Sequence, residues 1–130
     1  MRDFRELMPD GMEIFKSALR KDYITLDYLN NFIGDKKVML WGAGIFTQNL
    51  FSKEKIKNPN ILGIIDKNSA SWGNRCGNYK IYSPDVLDKV HPDGVLLTVL
   101  NNNESIYPVL KEELKESHPE IELLPNIFVK

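Results

Sequence analysis

The sequence predicts an α/β fold in which a parallel sheet of about five strands carries helices on both faces. Two observations lead to this class. Short, fully apolar runs of strand length recur along the chain, and segments with helical spacing of apolar residues separate them. An apolar run without alternation is typical of a strand that is buried on both faces, as in a parallel sheet. Right-handed crossovers then give a three-layer fold with the strand order 3-2-1-4-5.

Two short amphipathic helices are expected before the sheet, beginning near Asp10 and near Thr25. Apolar residues recur at helical spacing in two sets: Met12, Phe15 and Leu19, then Leu26, Leu29, Phe32 and Ile33. Gly34 follows the second set, as a glycine in the left-handed conformation follows many helices. We therefore divide the chain into an N-terminal helical extension, residues 1–35, and an α/β domain, residues 36–130.

Within the α/β domain, strands and helices are expected to alternate. The predicted strands are Val38–Trp41, Ile61–Asp66, Tyr79–Tyr82, Gly94–Leu100 and Ile121–Leu124. The predicted helices are Ile45–Lys53, a brief one that begins at Ser83-Pro84, and Glu104–Ser117. Residues 67–78 are polar and are interpreted as a loop.

Composition and charge exclude several classes of protein. The chain has 130 residues, 42% hydrophobic and 27% charged, which is typical of one folded domain. Its net charge of −1 disfavours partners such as nucleic acid or an anionic membrane. The chain has a single cysteine, Cys76, and no secretory pattern, which favours a cytoplasmic protein. It has no cysteine and histidine residues at zinc-ligand spacing, so no metal site is expected. It also has no run of about 20 apolar residues, so no membrane span is expected.

A glycine-rich turn follows the first strand and is the strongest chemical signal. Gly42 permits the tight turn, and Gly44 lets the backbone approach a pyrophosphate at the N-terminus of the next helix. The candidate cofactor-binding residues here are Gly42, Ala43, Gly44, Ile45, Phe46 and Thr47. Thr47 stands where the dinucleotide fingerprint has Gly or Ala, so its side chain is expected to shift the helix or to place a hydroxyl near the phosphate. A tight turn without a ligand is the alternative interpretation.

Asp66 ends the second strand about 22 residues after Gly44, where the fingerprint has an acid that binds a ribose diol. The alternative is a solvated carboxylate at a strand end. Lys67 and Arg75 follow in the loop, and their positive charges could instead bind a 2′-phosphate. Lys67 is therefore also a candidate cofactor-binding residue. Trp72 in the same loop could stack on a base or cover the sheet edge.

Asn101 and Asn102 follow the fourth strand, at the point where strand order reverses and ligands bind in open α/β sheets. Their amides can bind a ligand but have no useful pKa for proton transfer, which favours binding over catalysis. The alternative interpretation is that these asparagines form an ordinary loop and helix cap, and it applies more to Asn103 than to Asn101. The sequence contains no Walker lysine, GxSxG or HExxH motif, so no catalytic residue is assigned.

These motifs resemble Rossmann-like domains of bacterial surface-polysaccharide and sugar-modifying proteins. The similar segments are Leu40–Thr47, Gly63–Asp66, Trp72-Gly73, Gly77, Ile81–Pro84 and Glu104–Leu110. Such domains accompany glycosyltransferases and methyltransferases, and a related one begins UDP-sugar O-acetyltransferases. The resemblance implies a site for NAD or a nucleotide-sugar such as a UDP-sugar.

The leading hypothesis is therefore a nucleotide-binding module that serves polysaccharide biosynthesis or sugar modification and is not catalytic alone. Its expected partners are a nucleotide-type small molecule and a glycosyltransferase or methyltransferase on another chain. At least one N-terminal helix is expected to pack against a second copy or a partner domain. A small NAD-dependent oxidoreductase or epimerase of nucleotide-sugars is the runner-up, although no Tyr-x-x-x-Lys pair occurs. A domain associated with an S-adenosylmethionine-dependent methyltransferase is third, because Trp41 replaces the usual acid at the end of the first strand.

Overall fold

A six-stranded sheet with helices on both faces organises the chain, and the computed structural model describes residues 26–52 and 58–128 of it. The helices are α1 (Leu26–Ile33), α2 (Ile45–Ser52) and α3 (Asn103–Ser117). The strands are β1 (Val38–Trp41), β2 (Ile61–Ile65), β3 (Arg75–Cys76), β4 (Tyr79–Tyr82), β5 (Gly94–Leu97) and β6 (Glu122–Leu123). Short 3₁₀ turns cover Ser69–Ser71 and Pro84–Asp88. The α/β class is confirmed.

The sheet order is β3-β4-β2-β1-β5-β6, which differs from the predicted order 3-2-1-4-5 by the additional edge strand β3 beside β4. The pairs β4-β2, β2-β1, β1-β5 and β5-β6 are parallel, whereas β3 and β4 are antiparallel. The predicted polar loop therefore contains an additional edge strand. Gly77, with φ +61°, turns the chain back directly after β3, and this conformation is easy for glycine.

The two faces of the sheet carry separate apolar clusters. On one face, α1 and α2 pack with Val38, Leu40 and Ile64, and α1 contributes Leu29 and Ile33 to this core. On the other face, α3 covers Met39, Trp41, Ile65, Val95 and Leu97. Continuous burial of β1 and β5 explains why both strands lack polar alternation.

The second predicted N-terminal helix is present as α1, and Gly34 follows it with φ +62° as expected. The first one, with Met12, Phe15 and Leu19, lies outside the described residues. In residues 26–52 and 58–128, no helix is long and apolar enough to cross a membrane.

Cys76 of β3 is buried, and its S–H group lies 3.6 Å from the backbone oxygen of Thr47 in α2. Burial raises the pKa of the Cys76 thiol. Arg75 precedes Cys76 in the sequence, and its guanidinium group donates to the backbone oxygen of Asn78 over 3.4 Å. The environment is thus that of a packed thiol and not of an activated one.

We expect the folded protein to react very slowly with a thiol reagent such as Ellman's reagent at about pH 8, where an unperturbed cysteine has substantial thiolate. Protein unfolded in guanidinium should react at the rate of a free thiol. Absorbance after mixing measures both rates. Equal rates in the two states would contradict the buried, high-pKa thiol.

Candidate functional site

The turn from β1 into α2 depends on Gly42. This residue has φ +126°, and a Cβ built on it would lie 2.5 Å from Cγ2 of Val99, beyond the end of β5. Its N–H donates to the oxygen of Ile65 over 2.8 Å, which continues the β1-β2 ladder. Gly42 is therefore glycine because the neighbouring strand leaves no space for a side chain.

Two buried hydroxyl groups donate hydrogen bonds to the carbonyl oxygen of Gly42. Oγ1 of Thr47 donates to it over 2.6 Å, and Oγ1 of Thr98 donates over 2.9 Å. The Thr47 hydroxyl thus faces the protein interior and not the outer side of the turn, where a phosphate would lie. Thr98 was not predicted as part of the site. Its signal in the sequence is a hydroxyl residue within the apolar run 94–100.

Gly44, in contrast, is not required to be glycine by its backbone conformation or by packing. It is exposed, its φ is not positive, and a Cβ built on it would meet no atom within 4 Å. The N–H of Gln48 donates to the oxygen of Gly44 over 2.9 Å, so Gly44 is the N-cap of α2. The first N–H groups of the helix have no intrahelical partner and lie next to open space.

The three residues after Gly44 differ in what they present. Ile45 is 73% exposed at the first turn of α2. Phe46 is buried, and its ring contacts that of Phe128 with centroids 5.1 Å apart. Phe46 and Thr47 can therefore face a ligand through their backbone only, whereas Ile45 also offers an apolar side chain.

The Asp66 carboxylate is fixed beside the glycine turn, as its place in the sequence predicts. Oδ2 accepts the N–H of Ala43 over 2.9 Å, and Oδ1 accepts the N–H of Asn68 over 2.8 Å. The indole N–H of Trp72 donates to the backbone oxygen of Asp66 over 2.6 Å. Each carboxylate oxygen has a second lone pair. Asp66 therefore shapes the turn and retains acceptor capacity for hydroxyl groups.

Lys67 forms an ion pair with Glu113 of α3. Its Nζ lies 2.7 Å from Oε1 of Glu113, and both side chains are about half exposed. An exposed pair of this kind contributes little to stability and exchanges readily with water or ligand groups. Lys67 thus lies beside Asp66 at the ligand edge of the sheet, with its charge balanced by Glu113.

Two clefts lie side by side at the carboxyl ends of β1 and β5. The first has a volume of about 340 Å³ and a mainly apolar lining that includes Trp41, Val99 and Ile106, with Gly42, Asp66 and Lys67 at its edge. The second has a volume of about 350 Å³ and a mainly polar lining. Ser105 lines both, so the clefts adjoin. Each reaches the lower end of the roughly 300–1,000 Å³ typical of small-molecule sites.

The asparagines after β5 divide into two kinds. The side chain of Asn103 makes two hydrogen bonds within the protein. Its Nδ2 donates to the backbone oxygen of Leu100 over 2.6 Å, and its Oδ1 accepts from Nδ2 of Asn126 over 3.0 Å. Asn101 and Asn102 are exposed and line the polar cleft. Asn102 has φ +63° and precedes α3 without capping it through its side chain.

Residues 34–121 match the model of the family described as C2185-like, N-terminal. The chain belongs to this family. No curated protein is detectably similar in sequence. Among solved structures, the chain is similar to the crystal structure of UDP-D-quinovosamine 4-dehydrogenase from Vibrio fischeri, with 25% identity over 72% of this chain and 80% of that one. The TM-score is 0.49, so this likeness carries neither a ligand nor an activity over to this chain.

The two roles of Asp66 can be separated by two substitutions. Asp66→Ala removes the acceptor of two backbone N–H groups and should lower the free energy of unfolding by about 2 kcal/mol. Asp66→Asn keeps one carbonyl acceptor and should cost about half as much. Both changes remove the charged ribose acceptor. Urea denaturation measures the difference, and equal stability of wild type and Asp66→Ala would contradict the structural role.

Proposed function

We propose that this domain is a nucleotide-binding module whose ligand, NAD(H) or a nucleotide-sugar, places its diphosphate at the first turn of α2. The observation that carries the proposal is Gly44. The fold requires glycine at Gly42, but at Gly44 neither backbone conformation nor packing requires it. An unfilled approach to a helix N-terminus is what a diphosphate needs in order to reach the backbone N–H groups.

The surroundings of the turn supply the other parts of such a site. Asp66 holds a carboxylate next to Ala43, within reach of a ribose on the same ligand. The apolar cleft beside Gly42 and Trp41 suits a flat ring. Lys67 lies where a 2′-phosphate could displace Glu113, which leaves NADP as an outcome of the binding test.

Binding is favoured over catalysis by the amide side chains that line the polar cleft. Asn101 and Asn102 offer hydrogen-bond donors and acceptors to a ligand, but an amide does not transfer a proton at neutral pH. The similarity of its motifs to domains of sugar-modifying proteins supports a role in sugar modification or surface-polysaccharide biosynthesis, beside a glycosyltransferase or methyltransferase on another chain.

A thermal-shift panel with NAD, NADP, UDP, a UDP-sugar and S-adenosylmethionine tests the proposal. A ligand at 100 times its dissociation constant should stabilise the domain by about 2.7 kcal/mol. We expect stabilisation by NAD or by the two uridine compounds. Stabilisation by S-adenosylmethionine alone, or by none of the five up to millimolar concentration, would overturn the proposal.

A further inference from the structure

Building on this proposed function, we infer that the ligand is a nucleotide-sugar whose glycosyl group lies in the polar cleft between β5 and α3. The cleft is lined by Leu100, Asn101, Asn102, Asn103, Glu104 and Phe128, together with Ser105. Its volume of about 350 Å³ is large enough for one sugar ring together with ordered water.

The amide groups in this cleft match the chemistry of a sugar. Within the described residues, the side chains of Asn101 and Asn102 make no hydrogen bond, whereas Asn103 is already bound on both sides. Each amide offers two donors and an acceptor, and each sugar hydroxyl is itself a donor and an acceptor. Leu100, which is half-buried, supplies an apolar part of the lining on which the C–H face of a pyranose can pack.

The relation between the two clefts distinguishes a nucleotide-sugar from a dinucleotide. The apolar and the polar cleft share Ser105 in their linings, and we place the two ends of one extended ligand in these clefts. A dinucleotide such as NAD carries an aromatic ring at each end, and its nicotinamide ring has a single polar substituent, the carboxamide, for hydrogen bonding. A nucleotide-sugar carries one aromatic ring and one polyhydroxyl ring. The observed pair, one mainly apolar and one mainly polar, corresponds to the second kind of ligand.

Asn101→Ala combined with Asn102→Gly removes both free amides with little effect on the fold. Both residues are exposed, and glycine adopts the φ of +63° at position 102 without strain. Asn78→Ala, an exposed asparagine in the turn between β3 and β4, is the matched control. Isothermal titration calorimetry would compare UDP-N-acetylglucosamine with UDP, GDP-mannose with GDP, and each with NAD.

In the wild type we expect at least one nucleotide-sugar to bind about tenfold more tightly than its own nucleoside diphosphate, the contribution of a few neutral hydrogen bonds. The double variant should lose this tenfold gain and keep the affinity for the diphosphate, and Asn78→Ala should behave as wild type. If a diphosphate binds but no sugar adds affinity, or if NAD binds most tightly, the glycosyl site is overturned and the nucleotide site stands. If no nucleotide binds, the proposed function itself fails.

Discussion

Replacing Gly42 with alanine is expected to lower the free energy of unfolding by about 2–6 kcal/mol. Two costs add at this position. At φ +126° a residue with a Cβ is strained by about 1–3 kcal/mol. The new methyl group would also lie 2.5 Å from Cγ2 of Val99, and relief of such overpacking costs about 1–3 kcal/mol more. Urea denaturation followed by circular dichroism measures the sum.

Gly73→Ala is the matched control for this substitution. Gly73 also has a positive φ, +85°, but a Cβ built there would meet no atom within 4 Å. We expect it to show the backbone cost alone, about 1–2 kcal/mol. If Gly42→Ala lowers the free energy of unfolding by no more than Gly73→Ala does, the side chain of Val99 moves aside at no measurable cost, and crowding does not fix the turn.

The sequence predicts the parallel part of the fold because burial on both faces leaves a local signal. The strands β1 and β5 are apolar throughout, and all four residues of each are buried. No such signal marks β3, which has two residues, one of them the exposed Arg75. Its pairing with β4 depends on the turn at Gly77 and on packing against α2, and neither is visible as periodicity.

The same distinction applies to the site. The spacing from Gly44 to Asp66 predicts that a turn and a carboxylate meet at one edge, and they do, through Ala43. The bond from Thr98 to the oxygen of Gly42 joins residues 56 positions apart, so it follows only from the β1-β5 register. The Thr47 hydroxyl points inward to the backbone oxygens of Gly42 and Thr98, and its approach to Thr98, 51 positions away, could not be predicted from sequence.

Gly44→Asp is expected to abolish nucleotide binding while the fold becomes no less stable. Aspartate is a better N-cap than glycine by a few tenths of a kcal/mol, and its charge is favourable at a helix N-terminus. The side chain meets no atom of the protein at its Cβ. It would, however, place a carboxylate where the diphosphate approaches. Two unit charges about 4 Å apart repel by about 4 kcal/mol near a protein surface, a loss of roughly a thousandfold in affinity.

Gly44→Asn separates charge from size, because asparagine has nearly the same shape, caps helices equally well and is neutral. Calorimetric titration with whichever nucleotide stabilises the wild type should show a smaller loss for Gly44→Asn than for Gly44→Asp, and thermal unfolding should show both variants at or above wild-type stability. Equal losses would indicate that filled space, and not charge, excludes the diphosphate. Wild-type affinity in Gly44→Asp would mean that the ligand binds elsewhere, because no anion could approach that N-terminus without meeting the new carboxylate.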